Sequence, residues 1–140
     1  MERIDIARRV FANDQYAVGL TGIVIESVGN HEAECSLDVD SRHRNARGAA
    51  MGGVLFTLSD FTAAVAANSE CLDTELQWVS LNATIHYLSP ALGNRLLAHC
   101  KALKHGRTTA LYQSTITDAE SGRTAILLIA RRAFLSIANI

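Results

Sequence analysis

The chain has 140 residues, of which 19% are charged, and its formal net charge is −1. That length suits one domain with its own core, and the near-neutral balance excludes the electrostatic footprint of a nucleic-acid or anionic-membrane binder. Three cysteines, Cys35, Cys71 and Cys100, stand far apart with no CxxC spacing, which predicts neither a disulfide framework nor a metal site and reads as apolar filler in a reducing cytoplasm.

The first ten residues are charged and lack the apolar stretch of a signal peptide. Residues 2–12 read as a short helix with Ile4, Ala7, Val10 and Phe11 on one side. Leu20 to Val28 is β-branched and predicts a strand, followed by a hairpin signal at Gly29-Asn30. From Glu32 to Val39 apolar and polar residues alternate, as in a half-exposed strand. Ser41 to Ala50 is a loop. It feeds a helix over 52–68 that is apolar on nearly every side: Val54, Leu55, Leu58, Phe61 and Val65 mark one face, and Phe56, Ala63, Ala64 and Ala67 cover much of the rest. A helix apolar all round is buried. It nevertheless carries Asp60, and a buried carboxylate needs a partner, a proton or a chemical role. Gly52 and Gly53 at its start either leave amides free at the positive end of the helix dipole, where an oxyanion would develop, or permit close packing.

Ser69 to Gln77 is a polar connection. Trp78 to Leu88 is the next strand, with Leu81, Ala83, Ile85 and Tyr87 facing one way and Ser80, Asn82, Thr84 and His86 the other. Pro90 to Gly93 turns the chain. Arg95–Leu103 and Thr108–Thr117 are strands around the turn His105-Gly106-Arg107, and Thr124–Leu135 is the last strand, after the turn Ser121-Gly122-Arg123. The four final strands follow one another through short turns and are expected to pair antiparallel. The sheet must bury one face, and the helix is the only large apolar object available for it. The last strand is apolar on both faces from Ala125 to Ala130. That run is far too short to span a membrane. A strand buried on both faces needs a second layer, most simply another subunit.

Asn45, Gly48, Met51-Gly52-Gly53 and Asp60 follow a known spacing: Asn, two residues, Gly, two residues, His-Gly-Gly, then an acid nine residues after that His. The strand from Ser80 to its closing Pro90 and the turn His105-Gly106-Arg107 add to the match. From about residue 18 to 135 the chain resembles the hotdog-fold acyl-CoA thioesterases of the PaaI-like group. The resemblance implies an α+β hotdog fold, an antiparallel sheet of about six strands wrapped around one long central helix. Residues 1–140 would be a single domain and 1–17 an N-terminal helical extension. The implied function is hydrolysis of a small or medium acyl- or aryl-CoA to free acid and CoA. It needs no metal and no cofactor, coenzyme A being part of the substrate. The alternative is a non-catalytic hotdog protein that binds an acyl-CoA or lipid. A hotdog dehydratase ranks last, because no His occupies the site segment.

The resemblance also implies roles. The Gly52 amide polarises the thioester carbonyl, and Asp60 is the general base on water or the nucleophile. Asn45 orients water, the thioester or the carboxylate, and Ser80 hydrogen-bonds the water or Asp60. Met51 and Gly53 lie on the substrate side. Met51 replaces the family histidine, which is implied to help place the thioester. His43 lies eight residues too early to replace it and is expected at the surface; His86 is expected at an interface or in solvent, and His31 and His99 show no partner. Arg107, with Gly106 and Lys104, is either a clamp for coenzyme A phosphates or a solvated turn; Arg131 and Arg132 are further candidates for the clamp. Gly52 and Asp60 are eight residues apart, about 12 Å along one helix. One chain can hardly serve one carbonyl with both. The expected solution is an obligate homodimer with two shared sites, associating further into a homotetramer in the cytoplasm.

Overall fold

Two glycines open the central helix and a row of small and apolar residues sustains it from Gly52 to Ala67; this is α2. The computed structural model describes residues 1–135. Ahead of α2 come α1 (Arg3–Phe11), a π-helix (Gln15–Thr21), β1 (Val24–Gly29), β2 (Glu32–Asp38) and a 3₁₀ turn (Ser41–His43). After it come β3 (Leu76–Tyr87), β4 (Arg95–His105), β5 (Thr109–Asp118) and β6 (Gly122–Leu135). The six strands form one antiparallel sheet in the order β1-β2-β4-β5-β6-β3. Alternate residues of β2, β4, β5 and β6 point at α2. Cys35 and Leu37, Leu96 and Ala98, Tyr112 and Ile116, and Leu127 and Ile129 are all buried there, against Leu55, Leu58, Thr62 and Val65 of the helix. Burying one such leucine is worth about 2–3 kcal/mol over leaving it in water. This is the hotdog arrangement expected from the sequence.

Four expectations need correction. The strand predicted from Leu20 begins only at Val24, because a π-helix occupies 15–21. Asp14 caps that helix, its Oδ1 accepting from the amides of Tyr16 and Ala17 at 3.0 and 2.7 Å, and Gly22 ends it in the left-handed region at φ 88°. Local capping there overrides β-branched composition. The four final strands are antiparallel, and β4, β5 and β6 are neighbours in chain order, but β3 does not pair with β4: β4 pairs with β2, while β3 crosses to the far edge and pairs with β6. The faces of β3 also differ from simple alternation. A bulge between Ser80 and Asn82 puts Trp78 and Ser80 on the helix side together with Ala83, Ile85 and Tyr87. Finally, His43 is buried, not at the surface. Its Nδ1 accepts from the amide of Asp40 at 3.0 Å, so the Nε2 proton points at the Thr21 carbonyl, 2.8 Å away. The two-residue hairpin between β1 and β2 turns at Asn30 and His31, and His31 takes the positive φ, 56°.

Cys35 and Cys100 are buried, and burial pushes both thiols up to about 12; Cys71 is half-buried. In β6, Ala125, Leu127 and Ile129 are covered by the helix side, while Ile126, Leu128 and Ala130 on the outer face are only half-buried. No second layer among the described residues covers them.

The β3–β4 connection is pinned where the Gly93 amide donates to Oδ2 of buried Asp118 at 2.8 Å. Burial alone would raise the Asp118 pKa, but hydrogen bonds from the amides of Glu120 and Gly93 and from Ser121 outweigh it and hold the carboxylate below its ordinary range. A Cβ on Gly93 would overlap Asp118 Oδ1. Gly93→Ala is therefore expected to cost about 2–4 kcal/mol, combining overpacking with a strained buried hydrogen bond. The readout is a lower urea midpoint at unchanged m-value.

Candidate active site

One stripe of α2 is not covered by the sheet. Gly53, Phe56, Thr57, Asp60 and Ala64 follow helical spacing and share a side. Phe56 is 36% exposed, and the Asp60 side chain 40%. The expectation that α2 is buried all round therefore fails for this chain alone, and it fails on the face that carries the acid. Beside Asp60 lies a cavity of ≈ 280 Å³, walled by Asp14, Tyr16 and Ala17 on one side and by Phe56, Thr57, Phe61 and Ala64 on the other.

Asp60 has the partner that its position demands. Arg131, on the inner face of β6 and only 4% exposed, donates from Nη2 to Asp60 Oδ1 at 3.2 Å and to the Asp60 carbonyl at 3.3 Å. Its Nη1 donates to the Trp78 carbonyl at 3.1 Å. Asp60 Oδ2 has no hydrogen bond among the described residues. Partial burial raises the Asp60 pKa above the usual carboxylate value; Arg131 pulls it back down and Asp14 adds a push upward. The result is a carboxylate that is anchored, more basic than a free one, and open on one oxygen. Arg131 is thus not a candidate for coenzyme A phosphates; it is committed inside the fold, whereas Arg132 is exposed.

The second candidate group lies at the other end of the helix. The amides of Gly52 and Gly53 find no backbone acceptor among the described residues. Both therefore remain available at the positive helix end. The Tyr87 hydroxyl donates to the Gly52 carbonyl at 3.0 Å. A Cβ on Gly52 would come within 3.3 Å of the Tyr87 ring, whereas one on Gly53 would meet nothing. Close packing thus explains at most the first glycine. A groove of ≈ 380 Å³ opens there, lined by Asn45, Ala49, Ala50, Gly52, Leu55 and the stretch Tyr87 to Ala91. Asn45 shapes its rim: its Oδ1 accepts from the amides of Arg47 and Ala49 at 2.9 and 3.2 Å. Met51 stands open to solvent at the helix start, 58% exposed.

The remaining candidates fall on the Asp60 side. Ser80 lies opposite Arg131 in the β3–β6 ladder, on the inner face that the bulge creates. Gly106 closes the β4–β5 turn, with its amide on the Thr109 carbonyl at 2.9 Å; a Cβ would approach that oxygen to 2.9 Å, so the turn itself requires the glycine. Arg107 is exposed beside it. Ala110 pairs with Arg131, which places this turn at the same end of the sheet as Arg131 and Trp78, away from Gly52. His86 is exposed; His99 meets Glu32 at 2.7 Å and His31 stacks on His105 with ring centroids 3.7 Å apart. Within one chain, then, Asp60, Ser80, Gly106 and Arg107 gather at one end, and Asn45, Met51, Gly52 and Gly53 at the other. The Arg131 anchor and the Asp14 and Tyr16 wall escaped sequence reasoning, since both depend on contacts between distant segments. No group of three or more metal-ligating side chains occurs among the described residues.

A family model of the thioesterase superfamily matches residues 47–125, which include α2 and all of β3, β4 and β5. Acyl-coenzyme A thioesterase 13 of Homo sapiens is 30% identical over 102 residues, covering 72% of this chain and 71% of that protein. Acyl-coenzyme A thioesterase PaaI of Escherichia coli is 30% identical over 121 residues, covering 86% and 83%. The solved structure of E. coli PaaI superposes with a TM-score of 0.85 at 24% identity, over 96% of this chain and 98% of that one. A Streptococcus mutans protein solved with acetyl-CoA gives 0.72 at 25% identity, over 81% and 90%. With the six-stranded sheet around α2 and the anchored acid on its open face, these matches show that the chain belongs to the thioesterase superfamily, as a PaaI-like hotdog protein.

Proposed function

We propose that this protein hydrolyses small or medium acyl- or aryl-CoA thioesters, and that it does so as a homodimer whose two equivalent sites each pair Asp60 of one protomer with the Gly52 amide of the other. The observation that carries the reading is the Asp60 carboxylate: made more basic by partial burial, held through one oxygen, and open through the other on the face of α2 that the sheet leaves uncovered. In the base route, Asp60 takes a proton from water as the water adds to the thioester carbon. The carbonyl oxygen becomes an oxyanion at the Gly52 amide, and collapse breaks the C–S bond and expels the coenzyme A thiolate. In the nucleophile route Asp60 itself adds, the C–S bond breaks to expel the coenzyme A thiolate and leave an acyl anhydride, and water cleaves that anhydride to free the acid and regenerate Asp60. Asn45 and Ser80 position the water or the carboxylate, and Met51 and Gly53 border the acyl thioester.

The dimer follows from geometry and surface. Asp60 and Gly52 of one helix stand about 12 Å apart. Two antiparallel copies of α2 bring unlike ends together. The twelve-residue strand β3 is an unpaired edge with Val79, Leu81 and Tyr87 exposed along it; such an edge invites a second copy. The half-buried outer side chains of β6 supply a second contact, which supports a tetramer. Arg107 and Lys104, both exposed at the Asp60 end, suit the phosphates of coenzyme A. Residues 1–17 act as an extension of a single hotdog domain and wall the cavity beside the acid, whose ≈ 280 Å³ fits a short acyl chain or a single ring. Unpaired thiols fit a cytoplasmic setting. No helix among the described residues is long and apolar enough to cross a membrane.

The test is thiol release from a panel of acyl- and aryl-CoA esters. Turnover of at least one ester is expected. Saturable binding with no turnover of any would favour the non-catalytic binder, the reading that Met51 at the histidine position supports. Met51 is exposed at the helix start, so Met51→His is expected to stay within about 0.5 kcal/mol of the parent stability. It is expected to change kcat or the acyl preference; identical kinetics across the panel would contradict a substrate-side role for this position.

A further inference from the structure

We propose that Arg131 is the positioning residue of the reaction centre: its guanidinium fixes Asp60 Oδ1 and thereby presents Oδ2 to the thioester or its attacking water. This rests on the reading of Asp60 as base or nucleophile. The geometry separates the role from plain charge neutralisation. An arginine placed only to neutralise a carboxylate tends to grip both oxygens with two parallel hydrogen bonds. Here one nitrogen serves a single carboxylate oxygen together with the carbonyl of the same residue, and the second nitrogen is spent on Trp78. The grip therefore fixes both the side chain and the backbone of Asp60 and leaves its second oxygen free.

The anchor is itself rigid. Trp78 O also accepts from Asn68 Nδ2 at 3.3 Å, and the Trp78 amide donates to Asn68 Oδ1 at 2.8 Å. Asn68 caps α2, its Nδ2 donating to Ala64 O at 2.8 Å. The end of α2, the start of edge strand β3 and the inner face of β6 thus form one frame around the acid. Sites held by helices and strands keep their geometry better than sites held by loops. The frame meets the bulge at Ser80, the other polar group proposed to face Asp60. Arg131 also has a donor to spare, since its buried Nε has no acceptor among the described residues. The charged groups facing Asp60 are Arg131 from β6 and Asp14 from the segment before the π-helix. Around Arg131, Cys100 of β4 and Tyr112 of β5 are both pushed up by burial, so neither offers a competing anion near neutral pH.

The test compares wild type, Arg131→Gln and Arg131→Lys, each checked for fold by circular dichroism and for dimer by size. For each, kcat and KM are measured against pH with the best acyl-CoA, and the Asp60 carboxyl is titrated by ¹³C NMR. Arg131→Gln is expected to lose at least about tenfold in kcat, as misplaced reacting groups do, with KM within about threefold. Its acid limb and its Asp60 titration are expected to move together to higher pH, since the Arg131 cation facing Asp60 is gone. Arg131→Lys keeps the charge but cannot reach two carbonyls and a carboxylate at once, so its limb is expected to stay near wild type while kcat stays low. A folded Arg131→Gln with wild-type kcat and limb overturns the proposal. Should that variant not fold, an Arg131→Lys protein with wild-type kcat overturns it. If wild type hydrolyses no ester, the functional reading fails by itself. An Asp60 titration unmoved by Arg131→Gln then removes the anchor as well.

Discussion

Asp60→Asn is expected to lower kcat/KM for acyl-CoA hydrolysis by about 10²- to 10⁴-fold, the range associated with removing a positioned general base. The substitution suits the local geometry. Asn has the same shape, and its Oδ1 can still accept from Arg131 Nη2, which now sits 3.2 Å from the carboxylate oxygen. The frame of Arg131, Trp78 and Asn68 is therefore expected to survive, and the loss falls on chemistry: an amide neither takes the proton of water nor attacks a carbonyl. Removing the negative charge forfeits its attraction to the buried guanidinium, but it also lifts the larger desolvation penalty that raises the Asp60 pKa, so any net cost is small. That cost is moderated by the retained hydrogen bond and by the 40% exposure of the Asp60 side chain. The pH dependence has a definite sign. In wild type, kcat/KM is expected to fall as pH drops through the Asp60 pKa, with partial burial putting that limb above the usual carboxylate range. Because the folded pKa is raised, the stability gained from protonating Asp60 is full below the unfolded value of about 3.9 and is lost as pH rises through the folded value. The asparagine variant is expected to lack both features. Paired rate profiles and pH-dependent melts measure them. A folded, dimeric variant that keeps more than a tenth of the wild-type rate would remove Asp60 from the mechanism.

How far the sequence reveals such a site depends on how local each signal is. Helix α2 is legible because its start, its apolar positions and its acid lie within one short stretch, and the strands with clear alternation or short turns read correctly to within a few residues. Leu20 and Thr21 did not read correctly, because the Asp14 cap and left-handed Gly22 decide the local structure against a β-branched composition. The place of β3 was hidden because its partner β6 lies across two intervening strands, and Pro90 to Gly93 carries the same residues that mark a hairpin. The inward face of Ser80 depends on a bulge, which no periodicity announces. The same long-range register brings Arg131 to Asp60, so one arginine among several on the surface-like end of a strand turned out to be the buried one. Burial of His43 needed the Thr21 carbonyl, which is in place only because of the π-helix that the composition concealed. In each case the spacing of the polar residues survives translation into structure, while their partners do not.

Gly52→Pro tests the other half of the site and the sharing of sites between subunits. Gly52 is the first residue of α2, and its amide has no backbone acceptor among the described residues. Proline is favoured at that position, since the missing N–H was unused by the helix and its fixed φ suits the first turn. The preceding residue must then be extended, and Met51 already is, at φ −62° and ψ 143°. The new ring meets Tyr87, whose edge must shift by a few tenths of an ångström from a 3.3 Å contact. Stability is thus expected to change by about 1 kcal/mol or less. The proposed oxyanion donor disappears, and kcat is expected to fall about 10²- to 10³-fold. The decisive measurement mixes this variant with Asp60→Asn by co-refolding. If each site joins Gly52 of one chain to Asp60 of its neighbour, a mixed dimer holds one site with both groups intact and one with neither. Half of the dimers in an equal mixture are mixed, so about one quarter of the wild-type rate should return from two nearly inactive proteins. A site contained within one chain cannot be rebuilt this way, and a mixture no faster than its parents would show that the acid and the glycine amide never meet across the two-fold axis.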